Sequence, residues 1–213
     1  AVASCRKAIQ FKPGYAEAHF NLGNAFNALS LQEQAIASYT KAIQLKPDYA
    51  EAHSNLGVVL NELGRVEEAI ASGTKAIQYR PDFAEGYSNL GAFFRSLDRN
   101  DEAINSYTKA IQLKPDYAEV HNKLGVTYNV LGRYEEALAS CNRAIQYKPD
   151  FAEAYSNLGE ILRDIGRIEE AMVKQMKAIE LEPDYADAHN NLGATFSDLN
   201  RLEDAIVSYA KAT

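Results

Sequence analysis

Residues 50–83 read AEAHSNLGVVLNELGRVEEAIASGTKAIQYRPDF, and much of this pattern recurs at a 34-residue step along the whole chain. One glycine recurs at every step, at Gly23, Gly57, Gly91, Gly125, Gly159 and Gly193. An alanine follows each glycine twelve residues later, at Ala35, Ala69, Ala103, Ala137, Ala171 and Ala205. A fixed period of this length indicates tandem helical repeats rather than one globular core.

We number each repeat from its first alanine. In residues 50–83 this places His53 at position 4, Leu56 at 7, Gly57 at 8, Leu60 at 11, Ala69 at 20, Ala76 at 27 and Pro81 at 32. The pattern resembles the tetratricopeptide repeat (TPR), with Leu-Gly at 7 and 8, small residues at 8, 20 and 27, and proline at 32. Only the tryptophan common at position 4 is missing. The resemblance implies an all-α fold, a right-handed superhelical α-solenoid of antiparallel helix pairs.

The resemblance covers the whole chain. We expect residues 1–15 to form the second helix of a partial repeat, followed by repeats at 16–49, 50–83, 84–117, 118–151 and 152–185 and a truncated sixth at 186–213. A single helix pair cannot bury its apolar face, so the repeats should stack into one continuous solenoid. Both ends fall inside expected helices, which favours a segment of a longer polypeptide.

Helix ends also have a sequence signature. Asp48 precedes Glu51 by three residues, the spacing of a capping box, so we expect the first helix of that repeat, helix A, to start near Tyr49. The spacing recurs at Asp82 and Glu85, Asp116 and Glu119, and Asp150 and Glu153. Left-handed residues should close the A helices, namely Gly64, Gly132 and Gly166, with Ser30, Asp98 and Asn200 as substitutes.

Residues suited to catalysis or metal binding are few. The four histidines, His19, His53, His121 and His189, all occupy position 4, where Tyr87 and Tyr155 stand in other repeats. We interpret them as packing residues with a polar tip. Cys5 and Cys141 are four repeats apart, too far for a disulfide, and are expected to be buried thiols. With no phosphate loop or catalytic triad in the sequence, we expect no enzymatic activity, no metal and no cofactor.

Charge limits the partners. The formal net charge is −7, and position 2 is acidic in every repeat: Glu17, Glu51, Glu85, Glu119, Glu153 and Asp187. Nucleic acids and phosphopeptides are therefore disfavoured, and a neutral or mildly basic peptide is favoured. No apolar run approaches the roughly 18 residues of a membrane span. We expect a cytoplasmic protein that contacts neither nucleic acid nor membrane.

Position 6 is the candidate binding feature. It holds Asn21, Asn55, Asn89, Asn157 and Asn191, with Lys123 in the fourth repeat. Asparagine is a mediocre helix former, and position 6 should face the inside of the superhelix. A carboxamide matches the donor and acceptor of a peptide unit, so this row predicts binding of an extended chain by its backbone. The alternative is an inherited polar filler.

Two further positions extend this surface. Position 12 adds Asn27, Asn61, Arg95, Asn129 and Arg163 to the polar lining. Phe20, at position 5, should lie on the concave side, where it either anchors a partner side chain or covers the missing preceding helix.

The asparagine row resembles the repeat arm of protein O-linked N-acetylglucosamine transferases, in which asparagines at this position bind substrate backbones. The resemblance implies an alternative function, the substrate-recruiting arm of a larger glycosyltransferase whose catalytic domain is absent here. The carboxylate clamp of co-chaperone repeats is disfavoured because its cations are replaced by residues such as Phe20 and Glu85. End-to-end self-assembly is a third alternative, since neither end carries a polar capping helix.

Departures from the repeat pattern carry further information. Residues 147–159 nearly copy residues 79–91, a step of 68 residues, so pairs of repeats were duplicated together. Gly73 stands where its copy has Cys141, which predicts local slack in the second helix of that repeat, helix B. Phe93, at position 10, lies outside the recurring aromatic positions.

Overall fold

The computed structural model describes residues 1–212, and the only regular secondary structure there is α-helix. The thirteen helices of these residues are α1 (Val2–Phe11), α2 (Ala16–Asn27), α3 (Gln32–Leu45), α4 (Ala50–Glu62), α5 (Val66–Tyr79), α6 (Ala84–Arg95), α7 (Asn100–Leu113), α8 (Ala118–Val130), α9 (Tyr134–Tyr147), α10 (Ala152–Asp164), α11 (Ile168–Leu181), α12 (Ala186–Asp198) and α13 (Leu202–Lys211). The predicted all-α solenoid of helix pairs is confirmed. Thr213 lies outside the described residues.

The helices are distributed over two compact units. Unit 1, residues 1–113, holds α1 to α7, and unit 2, from Lys114 onward, holds α8 to α13. In each unit a helix A packs on the helix B that follows it, as α4 does on α5 and α10 on α11. Within a unit, a helix A also contacts the helix B that precedes it there, as α4 contacts α3 and α10 contacts α9. This alternation places successive A helices side by side within a unit.

The turns inside the repeats have the predicted backbone. Gly64, Gly132 and Gly166 have φ of 75°, 69° and 79°, and Ser30, Asp98 and Asn200 take φ of 56° to 57° at the equivalent sites. All six residues are in the left-handed region, which costs glycine least. The prediction that these residues close the A helices is confirmed.

The predicted capping boxes are wrong. The residue preceding helix α4 is Tyr49, and it makes no side-chain hydrogen bond to the helix. Phe83, Tyr117 and Phe151 precede α6, α8 and α10 in the same way. The aspartates fall one residue too early to cap, because the Pro-Asp turn is closed by backbone bonds such as Tyr49 N–H to the Lys46 carbonyl, at 3.1 Å. The A helices nevertheless begin where the sequence predicted, as α4 does immediately after Tyr49.

The glycines at position 8 leave room for the residue at position 24 of the same repeat. Ring atoms of Tyr39 lie 2.6 Å from where a Cβ of Gly23 would stand, and Gln175 Cγ lies 2.7 Å from the Cβ position of Gly159. A side chain at either glycine would overlap these neighbours. Helices A and B of one repeat therefore approach closely only because position 8 lacks a side chain.

Gly73 does not leave the slack that the sequence predicted. The ring of Phe93, from the next helix A, lies 3.1 Å from the Cβ position of Gly73 and 2.8 Å from that of Gly57. Phe93 is 2% exposed and belongs to the core of unit 1. The aromatic ring that position 24 lacks in this repeat is thus supplied by position 10 of the following repeat.

Other repeats show the same compensation of sizes between these two positions. Tyr39, a large residue at position 24, shares its core cluster with Val59 at position 10 of the next repeat. Cys141, a small residue at position 24, shares its cluster with the larger Ile161. Positions 24 and 10 therefore fill one space jointly, and their volumes compensate.

None of the helices formed by residues 1–212 combines the length and apolar character needed to cross a bilayer.

Candidate functional site

The A helices α2, α4 and α6 line a cleft of about 340 Å³ in unit 1, which we call the asparagine cleft. Its lining residues are Asn24, Asn27, Ala28, Tyr39, Asn55, Val58, Glu85 and Asn89. Three residues predicted from the sequence, Asn27, Asn55 and Asn89, therefore share one surface. Sequence reasoning missed the contributions of Asn24 and Tyr39, which lie at positions 9 and 24.

Asn24 accepts two hydrogen bonds from other residues of this cleft. Its Oδ1 accepts hydrogen bonds from the Tyr39 hydroxyl at 2.8 Å and from Asn55 Nδ2 at 2.9 Å. Burial raises the pKa of Tyr39, so the hydroxyl remains a donor at neutral pH. One carboxamide oxygen thus joins α2, α3 and α4.

The position-6 asparagines connect neighbouring repeats. In unit 1, Asn89 Nδ2 donates to Ser54 Oγ at 3.0 Å. In unit 2, Asn157 Nδ2 donates to Asn122 Oδ1 at 3.0 Å, and Asn191 Nδ2 donates to Ser156 Oγ at 3.1 Å. These hydrogen bonds give the position-6 asparagines a structural role that the sequence did not indicate. Their side chains hold successive A helices together.

The same asparagines keep an acceptor. They are half-buried rather than enclosed, and the Oδ1 atoms of Asn55, Asn89, Asn157 and Asn191 accept no hydrogen bond from residues 1–212. Asn21 is exposed. A carboxamide oxygen can accept from a backbone N–H while the amide nitrogen remains bonded to the neighbouring repeat. Lys123 is half-buried in α8 at the same position.

The position-12 residues differ in their surroundings, and only Asn27 lines the asparagine cleft. Asn61 Oδ1, Arg95 Nε and Asn129 Oδ1 are buried atoms without a hydrogen-bond partner. Asn129 Nδ2 donates to Asp164 Oδ2 at 3.1 Å, and Arg163 Nε lies 3.9 Å from Asp198 Oδ2. In unit 2, therefore, these side chains engage acidic residues of the next repeat.

Phe20 is not the exposed aromatic that the sequence suggested. It is half-buried, and its ring centroid lies 5.9 Å from that of Tyr39 and 4.9 Å from that of Tyr49. Position 5 faces the neighbouring repeat, which explains why Ser54 and Asn122 are buried there. The ring therefore packs against its own unit and does not stand free to anchor a partner side chain.

The histidines close the turn that precedes each helix A. Nε2 of His19, His53, His121 and His189 lies 3.1, 2.9, 2.9 and 2.8 Å from the carbonyl oxygens of Pro13, Pro47, Pro115 and Pro183. His53 and His121 also stack on Tyr79 and Tyr147. Each imidazole therefore acts as a packing group with a hydrogen-bonding tip.

The histidine arrangement predicts a pH-dependent stability. Burial lowers the pKa of His53 and His121, despite the opposing bond from the proline carbonyl. In the unfolded chain both have ordinary pKa values near 6.5 and take up protons first as the pH falls. The contribution of these two histidines to the free energy of unfolding is therefore fully present above about pH 6.5. It is lost as the pH falls toward their lower pKa in the folded state.

We expect the double variant His53→Tyr, His121→Tyr to lose less stability than the wild type between pH 7.5 and 5, because it lacks the two imidazoles that titrate in this range. Tyrosine should fit at position 4, since it occupies that position in two other repeats. Urea unfolding followed by circular dichroism at each pH measures this difference. Carboxylates titrate in both proteins and cancel in the comparison. Equal pH slopes for the two proteins would contradict the assignment.

The cysteines are free in the described chain, as predicted. Cys141 is buried against Gly125, and burial raises the pKa of its thiol to about 12. Cys5 is only half-buried, so the prediction of a buried thiol is confirmed for Cys141 and wrong for Cys5. A thiol with the environment of Cys141 is a poor nucleophile at neutral pH.

Solved structures of similar proteins cover most of the chain. YrrB, described as a TPR protein with an unusual peptide-binding site, is 25% identical with a TM-score of 0.68, over 88% of this chain and 97% of that one. MamA is 28% identical with a TM-score of 0.68, over 80% and 93%. TTC0263, a thermophilic TPR protein of Thermus thermophilus, is 25% identical with a TM-score of 0.71, over 85% and 99%.

Comparison with sequence families also identifies TPR repeats in this chain. No curated protein matches the chain. The TPR repeat family matches residues 31–64, 59–96, 93–129, 127–162 and 159–200. These segments run through both units and include the position-6 asparagines from Asn55 to Asn191. The chain belongs to the TPR repeat family.

Proposed function

We propose that this protein is an interaction scaffold that binds an extended peptide segment along its A helices, without chemistry of its own. The observation that carries the proposal is the asparagine cleft, where Asn55 and Asn89 present carboxamide oxygens that accept no bond within residues 1–212. YrrB, a structural neighbour, is described as having a peptide-binding site, which supports the same use of this fold.

The mode of binding follows from the hydrogen bonds. The amide nitrogens of four position-6 asparagines are bonded to the preceding repeat, so their oxygens have a defined direction: Asn55, Asn89, Asn157 and Asn191. A fixed acceptor loses little entropy on binding. A peptide lying across several A helices would donate backbone N–H groups to these oxygens, which gives affinity with little dependence on side chains.

A second candidate function uses the same surface. The asparagines at position 6 also favour a substrate-recruiting arm of a larger glycosyltransferase, as the resemblance to the O-linked N-acetylglucosamine transferases implies. In that case the bound peptides should be acceptors for sugar transfer. Adding a catalytic domain of this class in cis should then raise glycosylation of a cleft-binding peptide over that of a scrambled one, and equal glycosylation would exclude this function.

Replacing asparagine tests the binding proposal if the structural hydrogen bond is controlled for. We expect Asn89→Ala to weaken a peptide, selected by display on the wild type, by roughly fivefold to tenfold, the effect of one lost hydrogen bond. It should also cost about 0.5–1.5 kcal/mol of stability. Ser54→Ala removes the same inter-repeat bond but keeps the Asn89 oxygen. It should cost stability while affinity stays within about twofold.

The same pair of variants exists in unit 2, as Asn191→Ala and Ser156→Ala. Fluorescence polarisation with the labelled peptide gives affinity, and urea unfolding gives stability. If affinity follows stability, so that the serine variants weaken binding as much as the asparagine variants, the asparagines act only as structural groups. A peptide indifferent to both asparagine variants would also overturn the proposal.

A further inference from the structure

Arg95 is a cation of α6 without an anionic partner. Its Nε is buried and has no hydrogen-bond partner, and no carboxylate among residues 1–212 lies within ion-pair distance of its guanidinium group. The residue as a whole is half-buried, so part of its side chain remains at the surface. Taking a cation out of water without supplying an acceptor is costly. Arg95 therefore has an unused capacity to bind an anion.

The repeat pattern places Arg95 on the face of unit 1 that carries the asparagine cleft. Positions 9, 12, 13 and 24 of the first repeat all line that cleft: Asn24, Asn27, Ala28 and Tyr39. The same positions of the third repeat, in the same unit, hold Ala92, Arg95, Ser96 and Tyr107. The two tyrosine rings also pass the position-8 glycine of their repeat at the same distance, 2.6 Å from its Cβ position. Arg95 is therefore the third-repeat counterpart of a residue that lines the cleft.

Tyr107 is a second donor without an acceptor. Its counterpart Tyr39 is equally enclosed, at 1% exposed, yet lines the cleft and donates to Asn24 at position 9. Position 9 of the third repeat is Ala92, and the Tyr107 hydroxyl makes no hydrogen bond to any of residues 1–212. Burial raises the pKa of Tyr107 to about 12, against the opposing charge of Arg95, so the hydroxyl keeps its proton. Two neighbouring donors thus lack an acceptor.

Unit 2 shows what an arginine at position 12 binds. Arg163 follows Arg95 by 68 residues and occupies the same position of its repeat. Its Nε lies 3.9 Å from Oδ2 of Asp198, at position 13 of the next repeat. The residue 68 positions before Asp198 is Val130. The chain therefore gives Arg163 a carboxylate and has an apolar residue at the corresponding position for Arg95.

We propose that Arg95 binds a carboxylate of the peptide partner, from an aspartate or glutamate side chain or from the C-terminus. This inference rests on the proposed peptide-binding function and adds a requirement at one place in the peptide. A guanidinium group can donate two parallel hydrogen bonds to a carboxylate, which fixes the register of the peptide. Since Glu85 lines the asparagine cleft of the same unit, a single carboxylate fits this face better than an acidic segment.

The experiment uses peptides selected on the full chain from a random dodecamer display library, in one format that blocks the peptide C-terminus and one that leaves it free. We expect a fixed aspartate or glutamate in both formats, or binding through the C-terminus in the free format only. For the tightest peptide, replacing this carboxylate with a carboxamide should reduce affinity for the wild type roughly tenfold. For Arg95→Asn, which copies the asparagine of three other repeats, the reduction should be less than about twofold.

Arg163→Asn is the matched control, because the carboxylate partner of Arg163 belongs to the chain. It should discriminate between the two peptides as strongly as the wild type does. Arg95→Gln, which keeps a longer side chain, should behave as Arg95→Asn does, and thermal melts establish that each variant is folded. Equal loss of discrimination in Arg95→Asn and Arg163→Asn would assign the effect to net charge and overturn the inference.

A folded Arg95 variant that still discriminates roughly tenfold between the two peptides would also overturn the inference. So would selected peptides that need Asn89 but carry no fixed carboxylate, and in that case the proposed function would stand. Failure of any peptide to bind the wild type would overturn both.

Discussion

Replacing Phe93 with alanine is expected to lower the free energy of unfolding by about 3–5 kcal/mol, the cost of removing a buried aromatic ring. Phe93 is 2% exposed and fills the space left by two glycines, Gly57 and Gly73. Neighbouring backbone atoms are held in helices and cannot close this space fully. Urea unfolding followed by circular dichroism measures the loss.

The chain supplies its own compensating change. Gly73→Tyr alone should destabilise by about 1–3 kcal/mol, because its ring would overlap that of Phe93. Combined with Phe93→Val it recreates the pair formed by Tyr39 and Val59. The double variant should therefore be more stable than the sum of the single changes by at least about 1 kcal/mol. Strict additivity would show that the two positions do not share one space.

Gln175→Met is expected to raise the free energy of unfolding by about 1–3 kcal/mol, the penalty for burying polar atoms without partners. Gln175 is fully buried, and both of its side-chain polar atoms lack a partner. Methionine has nearly the same length and shape, so the packing against Gly159 is retained. Urea unfolding again gives the measurement.

Gln146→Met is the matched control, because Gln146 is exposed on α9 of the same unit. Its stability should stay within about 0.5 kcal/mol of the wild type. If Gln175→Met is no more stable than Gln146→Met, the buried carboxamide of Gln175 has satisfied partners in solution.

Much of the fold could be predicted from the sequence because glycine and proline fix backbone conformation locally. Gly64 and its equivalents end the A helices wherever the chain needs a left-handed residue, so the helix ends follow from the period. The capping boxes failed because capping depends on the exact residue at the helix start. Asp48 lies one residue before Tyr49, and that offset cannot be read from spacing alone.

The candidate site was predicted only in part, because its hydrogen bonds join residues about one repeat apart. The sequence does contain a signal for them. A polar residue at position 5 precedes the position-6 asparagine of the next repeat in three cases: Ser54 with Asn89, Asn122 with Asn157, and Ser156 with Asn191. Where position 5 is Phe20, Asn55 turns to Asn24 instead. The packing of Phe93 on Gly73 has no such local signal, since it depends on the volume between helices.

The pairing of positions 24 and 10 also limits how the gene can change in length. Small residues at position 24, such as Gly73 and Cys141, meet large ones, Phe93 and Ile161, whereas the large Tyr39 meets Val59. A loss or gain of one repeat can therefore set tyrosine against phenylalanine, or glycine against valine. A loss or gain of two repeats keeps small against large, because residues 73 and 93 lie 68 positions before residues 141 and 161. The module of inheritance is therefore four helices, which is the step at which the chain copies itself.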